Sequence, residues 1–241
     1  MTAPAPASGE NAPASQQAPA TRSTDPDLLL LPDVQPVPAA DFRIEVDRYT
    51  GRRYLWFTAI IPNVGPGPLE LWGHLDAGSG KHRATQRIYR RDGSHVEVEV
   101  GAFRWHEEHD HWPFDRGFMM YELRSVSRGD ELGHKVTTSD KTTWCLTDSD
   151  LVRPDMPSAS PQAVYTACEP EGQRISTGWA DVYDNTTEGQ SVDITDVLDG
   201  LYALHSIANP DRTILEASYL NNVAVAHVEI RGTHVAPVPP P

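Results

Sequence analysis

Three histidines fall within six positions in "WHEEHDHWPF", Trp105 to Phe114. If that stretch is extended, side chains at i, i+2 and i+4 share a face. His109 and His111 then point the same way, together with Glu107 and Trp105, while His106, Glu108 and Asp110 point the other way. Two imidazoles at alternate positions can reach one ion without strain, and imidazole suits copper, zinc, iron and nickel. A segment this rich in His, Glu and Asp can also be a solvated loop. Trp105, Trp112 and Phe114 weigh against simple solvation, because they would wall off a site. The alternation continues to Pro113, which has no side-chain donor atom. Three accounts are open: another nearby residue completes the site, the fold is kept and the metal lost, or a more distant histidine serves. Glu107 is favoured by its strand face, with His106 and His134 as alternatives. A carboxylate is harder than imidazole and would shift the preference from copper toward zinc.

The elements that must hold these residues read as β-structure. "YLWFTAII" (Tyr54 to Ile61) is a short apolar run ended by the turn residues of "PNVGPGP". "HVEVEV" (His95 to Val100) alternates strictly, as a half-buried strand does. "SVDIT", "LYALHSI" and "NVAVAHVEI" are further short strands between Asp, Gly, Asn and Pro clusters. No stretch keeps a helical period for three turns. The pattern predicts an all-β, sandwich-like single domain over residues 27–235, with long loops. Residues 1–26, rich in Ala, Pro, Ser and Gln, are expected to be a disordered tail, and 236–241 a structureless Pro-rich end. Of the other histidines, His74, His82, His95, His205 and His227 read as surface or strand residues, with His82 in a loop.

Bulk properties exclude some classes. The formal net charge of −14 over 241 residues argues against nucleic acid and fits a cationic partner or substrate. No apolar run approaches the roughly 20 residues that span a bilayer. "LLLL" at Leu28 to Leu31 is too short for a secretory signal, so the chain is either cytoplasmic or written without its leader. Cys145 and Cys168 lack a CxxC arrangement. Their spacing alone leaves two free thiols or one disulfide open. "GSG" before Lys81 lacks the spacing of a phosphate-binding loop, and no hydrolase elbow is present.

Four segments, in order, resemble a known family. "WHEEHDHWPFDRGFMMYEL" is similar to the copper-binding segment of the lysyl oxidases, W-H-x-x-H-x-H-x-H followed by Y-[DE]-L. "KTTWCLTD" (Lys141 to Asp148) resembles K-x-x-F-C-L-x-D. "GWADVYD" (Gly178 to Asp184) resembles G-x-x-D-x-Y. "VDITDVLDGLYALHSIANPDRTILEASYLNNVAVAHVEI" is similar to the family's C-terminal part. Upstream of Trp105 the similarity is thin.

The resemblance implies a copper amine oxidase that turns peptidyl lysine or another primary amine into an aldehyde. Dioxygen would be consumed, and hydrogen peroxide and ammonia released. It implies a lysine tyrosylquinone cofactor, with Lys141 on the family's lysine and Tyr183 on its tyrosine. Asp181, two residues before Tyr183 and on the same strand face, is the candidate base. Cys145 and Cys168 fall on a pair that the family joins as a disulfide, which favours an oxidising compartment and a secreted or cell-surface protein. Pro113 falls on the third copper histidine. The alternative is therefore a catalytically impaired domain that binds metal, protein or a cell-surface polymer, because a fold does not decide a function.

Overall fold

The structure, a computed structural model, describes residues 28–79, 81–105, 107, 112–115, 117–127, 132–139, 145–168 and 171–240. His106, His109, His111, Lys141 and the amino-terminal tail therefore lie outside the described residues.

The described chain holds fifteen strands, all paired antiparallel, and among the described residues there is no helix. Three five-stranded sheets are formed, as expected of an all-β fold. In the first, β1 (Leu29–Leu30), β5 (Lys81–Arg90), β4 (Leu69–Asp76) and β10 (Gly172–Ile175) follow one another, and β6 (His95–Phe103) pairs β5. The second runs β12 (Ser191–Asp193), β3 (Arg53–Pro62), β11 (Trp179–Tyr183) and β9 (Asp150–Leu151), with β2 (Ala40–Val46) also on β3. The third runs β15 (His234–Val238), β14 (Val223–Arg231), β13 (Gly200–Ala208), β7 (Met119–Val126) and β8 (Leu132–Thr138). The long strand β3 organises the second sheet. Its first half pairs β2 and β12, and its second half pairs β11.

Inward positions of all three sheets meet in one apolar cluster that includes Phe57, Leu71, Tyr121 and Leu204. Burial of such side chains, at roughly 25 cal/mol per Å² of apolar surface, is the main force holding the layers together. "HVEVEV" is half-buried, as its alternation predicts. Two local expectations fail. Residues 236–238 are not a structureless end but the last part of β15. Pro237 is tolerated there because β15 is an edge strand, where a missing N–H need not break a ladder. His82 is not in a loop either; it lies in β5, opposite Phe103 of β6.

The histidine segment is placed by pairing at its two ends. Phe103 bridges Phe114, the Arg104 N–H donates to the Pro113 carbonyl at 3.2 Å, and the Asp115 N–H donates to the Ala102 carbonyl at 2.8 Å. The Trp105 and Trp112 rings then meet with centroids 5.4 Å apart. A single extended strand over eight residues would hold its ends more than 20 Å apart, at about 3.3 Å per residue. The described residues that flank the histidines instead lie side by side. Pro113 is buried at this closure and uses its carbonyl there, the one backbone hydrogen-bonding group a proline retains.

Candidate functional site

Strand β11 carries the two acid–base groups. Asp181 pairs in register with Ile61 and Tyr183 with Ala59, so both side chains leave the same face of the sheet. Gly178 sets the entry to this strand. Its φ of +81° lies in the left-handed region, and a Cβ there would come within 2.7 Å of the Arg153 carbonyl oxygen. Only glycine meets both demands without strain.

The Tyr183 hydroxyl is held by one residue from both sides. It donates to the Cys145 carbonyl at 2.8 Å and accepts from the Cys145 N–H at 3.0 Å. Cys145 is joined to Cys168 in a disulfide, with Cα atoms 5.5 Å apart. Of the two states that the spacing left open, the structure has the bridge. Burial pushes the Tyr183 phenol well above its ordinary range, and the neighbouring Asp181 and then Tyr121 add to the shift. Burial thus favours the neutral phenol.

Asp181 is almost fully buried. One carboxyl oxygen accepts long hydrogen bonds from Thr147 Oγ1 at 3.5 Å and Ser149 Oγ at 3.4 Å. The other has no partner among the described residues. Burial drives its pKa well above the ordinary carboxylate range, and the hydrogen bonds only partly oppose it. Tyr121 of β7, fully buried and edge-on to Phe57 at 4.7 Å, completes the enclosed polar group. Its phenol is raised by burial and by Asp181 and lowered by Gln190. Asp181 and the two phenols therefore sense one another in a low-dielectric interior, where such coupling is strong.

A fully buried glutamine joins this group to the histidine segment. Gln173 of β10 donates from Nε2 to the Trp112 carbonyl and, at 3.7 Å, to Cys168 Sγ, and its Oε1 accepts from the Leu146 N–H at 3.4 Å. Trp112 directly follows His111, and Leu146 directly follows Cys145. A path of direct contacts thus runs from the Tyr183 hydroxyl through Cys145, Leu146 and Gln173 to Trp112. An aromatic row continues from there: His82 lies 4.6 Å from Trp112, and Trp112 lies 5.4 Å from Trp105, ring centre to ring centre.

The expected shared strand face of Asp181 and Tyr183 and the expected Cys145–Cys168 bridge are both present. The contact of the phenol with the disulfide cysteine, and Gln173, Tyr121 and His82 as neighbours, were not foreseen from the sequence. Tyr121 opens the Y-[DE]-L element of the resemblance, a signal that could have found it. Gln173 carries no signal in "GQRI". Of the other proposed metal ligands, Glu107 is exposed, and His134 is exposed on β8. Among the described residues no three His, Cys, Asp or Glu side chains converge on a metal position.

Fold and site define a class: an antiparallel β protein in which an acid and a phenol on one strand are buried behind a disulfide. The lysyl oxidase family model matches residues 82–238, and the chain belongs to the lysyl oxidase family. It is similar to lysyl oxidase homolog 2 of Xenopus laevis, 31% identical over 155 residues that cover 64% of this chain and 19% of that one. Against lysyl oxidase homolog 2 of Xenopus tropicalis the identity is 34% over 143 residues, 58% of this chain and 17% of the other. Against lysyl oxidase homolog 1 of Homo sapiens it is 30% over 135 residues, 56% and 22%. The chain spans about a fifth of the length of these relatives.

Proposed function

We propose that this protein is a copper-dependent amine oxidase of the lysyl oxidase type. It takes a primary amine, either a lysine side chain in a protein or a small free amine, together with dioxygen and water. It returns an aldehyde, ammonia and hydrogen peroxide. His109 and His111 are the proposed copper ligands, with Glu107 or His106 among the candidates to complete the set. Lys141 and Tyr183 are the proposed sources of the quinone. That cofactor, when present, supplies the two-electron chemistry that amino-acid side chains lack.

One observation carries this reading: the hydrogen bonds between the Tyr183 hydroxyl and the Cys145 backbone. Lys141 is four residues from Cys145, and four residues of chain span at most about 14 Å. That spacing puts the phenol within the reach of the chain that carries Lys141. The bonds through Gln173 supply a similar tether from Trp112, beside His111. Asp181, buried next to Tyr183, is the proposed base. Burial makes its carboxylate, once ionised, a stronger proton acceptor than a solvated one. The net charge of −14 draws cationic amines toward the protein, an attraction weakened by salt. The disulfide favours an oxidising compartment, hence secretion or the cell surface.

Pro113 favours a second reading, a non-catalytic metal- or partner-binding domain, since it removes a donor where the family pattern has a histidine. One experiment separates the two. The full chain is expressed with copper in air, digested, and searched by mass for a peptide joining Lys141 to Tyr183. The oxidase reading expects that joined peptide. Separate peptides recovered in full yield would remove it.

A further inference from the structure

We infer that Ser149 is a positioning residue for Asp181: it holds one carboxyl oxygen, Oδ1, as an acceptor and leaves the other, Oδ2, to exchange the proton. This rests on the proposed role of Asp181 as the base and deepens it, by naming the atom that takes the proton. Strand β11 has β3 on one side and the chain entering β9 on the other. Asp150 of β9 pairs with Ala180, and the Ser149 N–H donates to the Ala180 carbonyl at 2.9 Å, so Ser149 runs alongside Asp181. Thr147 and Ser149 stand two positions apart and turn their hydroxyls to the same side, as alternate residues of an extended chain do. Asp148 between them turns away, and its carboxylate accepts from the Ser176 N–H and hydroxyl, both at 2.7 Å.

The direction of the Ser149 proton follows from its neighbours. A serine hydroxyl has one proton to give and lone pairs to receive. The Val182 N–H donates to Ser149 Oγ at 3.2 Å, which leaves the hydroxyl proton for Asp181 Oδ1 at 3.4 Å. Thr147 Oγ1 brings a second donor to that same oxygen at 3.5 Å. An oxygen already facing two donors is the poorer seat for a proton. Oδ2, buried and without a hydrogen-bond partner among the described residues, is the better one.

The electrostatics agree. Burial favours the neutral acid, and the Ser149 hydrogen bond is the largest of the contacts that oppose it. Two titratable groups sense Asp181, Tyr183 on its own strand and Tyr121 on β7. Asp150, paired with Ala180, stands on the other face of β11. Ser149 is itself an exposed residue, so water could satisfy its hydroxyl without this contact. Its replacement by alanine leaves the apolar core untouched.

The test reads the Asp181 carboxyl by infrared spectroscopy in the full chain, as a function of pH. Its protonated C=O band is the one that Asp181→Asn removes. If that variant does not fold, labelling aspartate with carbon-13 at the carboxyl assigns the band in wild type. In Ser149→Ala the carbonyl oxygen loses a donor, so the band should move to higher wavenumber, and Ser149→Thr should return it. The pH at which the band gives way to carboxylate should rise by about 0.5–1 unit in Ser149→Ala, less than a short charge-assisted bond would give because the contact is 3.4 Å long. Thr147→Val should shift both in the same direction. A Ser149→Ala band and titration identical to wild type, or no protonated Asp181 band at pH 6, overturn the assignment. The readout needs neither metal nor quinone, so its failure leaves the oxidase reading standing. Separate Lys141 and Tyr183 peptides would in turn remove the oxidase and leave the Ser149–Asp181 contact as measured.

Discussion

Replacing Gln173 by leucine tests whether the contact path between the disulfide and the histidine segment is real. Leucine nearly fills the volume but offers no polar atom. The Trp112 carbonyl loses its donor and the Leu146 N–H loses its acceptor, both beside a fully buried side chain. Orphaning a buried polar group costs roughly 1–3 kcal/mol. Two such groups, offset by the easier burial of an apolar side chain, give a net loss of about 2–4 kcal/mol. For a domain of this size each kcal/mol lowers the melting midpoint by roughly 2–4 °C, so scanning calorimetry should show a drop of about 4–16 °C. Repeating the scan on reduced protein closes a double-mutant cycle. Because Gln173 Nε2 lies 3.7 Å from Cys168 Sγ, the two losses should differ from additivity by about 0.5 kcal/mol or more. A midpoint lowered by less than about 2 °C, with strict additivity, would refute the path.

Two further outcomes follow from the site. Burial raises the pKa of Asp181 above its unfolded value of about 3.9. Its contribution to stability is therefore complete below that pH and is lost as pH rises through the higher folded-state value. Asp181→Asn should then gain stability relative to wild type as pH increases, and parallel urea-unfolding curves from pH 5 to 9 would contradict this. Gly178→Ala must adopt a φ of +81° and place a Cβ within 2.7 Å of the Arg153 carbonyl. It should cost about 1–3 kcal/mol in strain and reduce the yield of the Lys141–Tyr183 peptide. An unaltered melting midpoint would show that the turn relaxes freely.

Strand content was legible because burial on one face of a sheet imposes a period of two, and β6, β13 and β14 display it. The i, i+2 relation of Asp181 and Tyr183 was legible for the same reason, since a strand fixes the directions of its own side chains. The pairing of the two stretches that flank the histidine segment was not legible in the sequence. That pairing is specified by contacts of Phe103 with Phe114 and of Arg104 with Pro113, eleven and nine positions apart in the chain, and local alternation does not encode it. His82 was misread as a loop residue because "GSGK" precedes it, whereas its pairing with Phe103 places it in β5.

By itself the amino-acid order determined an acidic, all-β domain of the lysyl oxidase family, with an acid and a phenol two positions apart. Residue types, short-range periods and recurring motifs are properties of the chain alone. Tertiary structure decided the rest: that the phenol rests on the backbone of a disulfide cysteine, that a glutamine ties this bridge to Trp112, and that His82 faces the same interior. These contacts join residues from 27 to 61 positions apart. They exist only once burial of the apolar faces has closed the sheets upon one another.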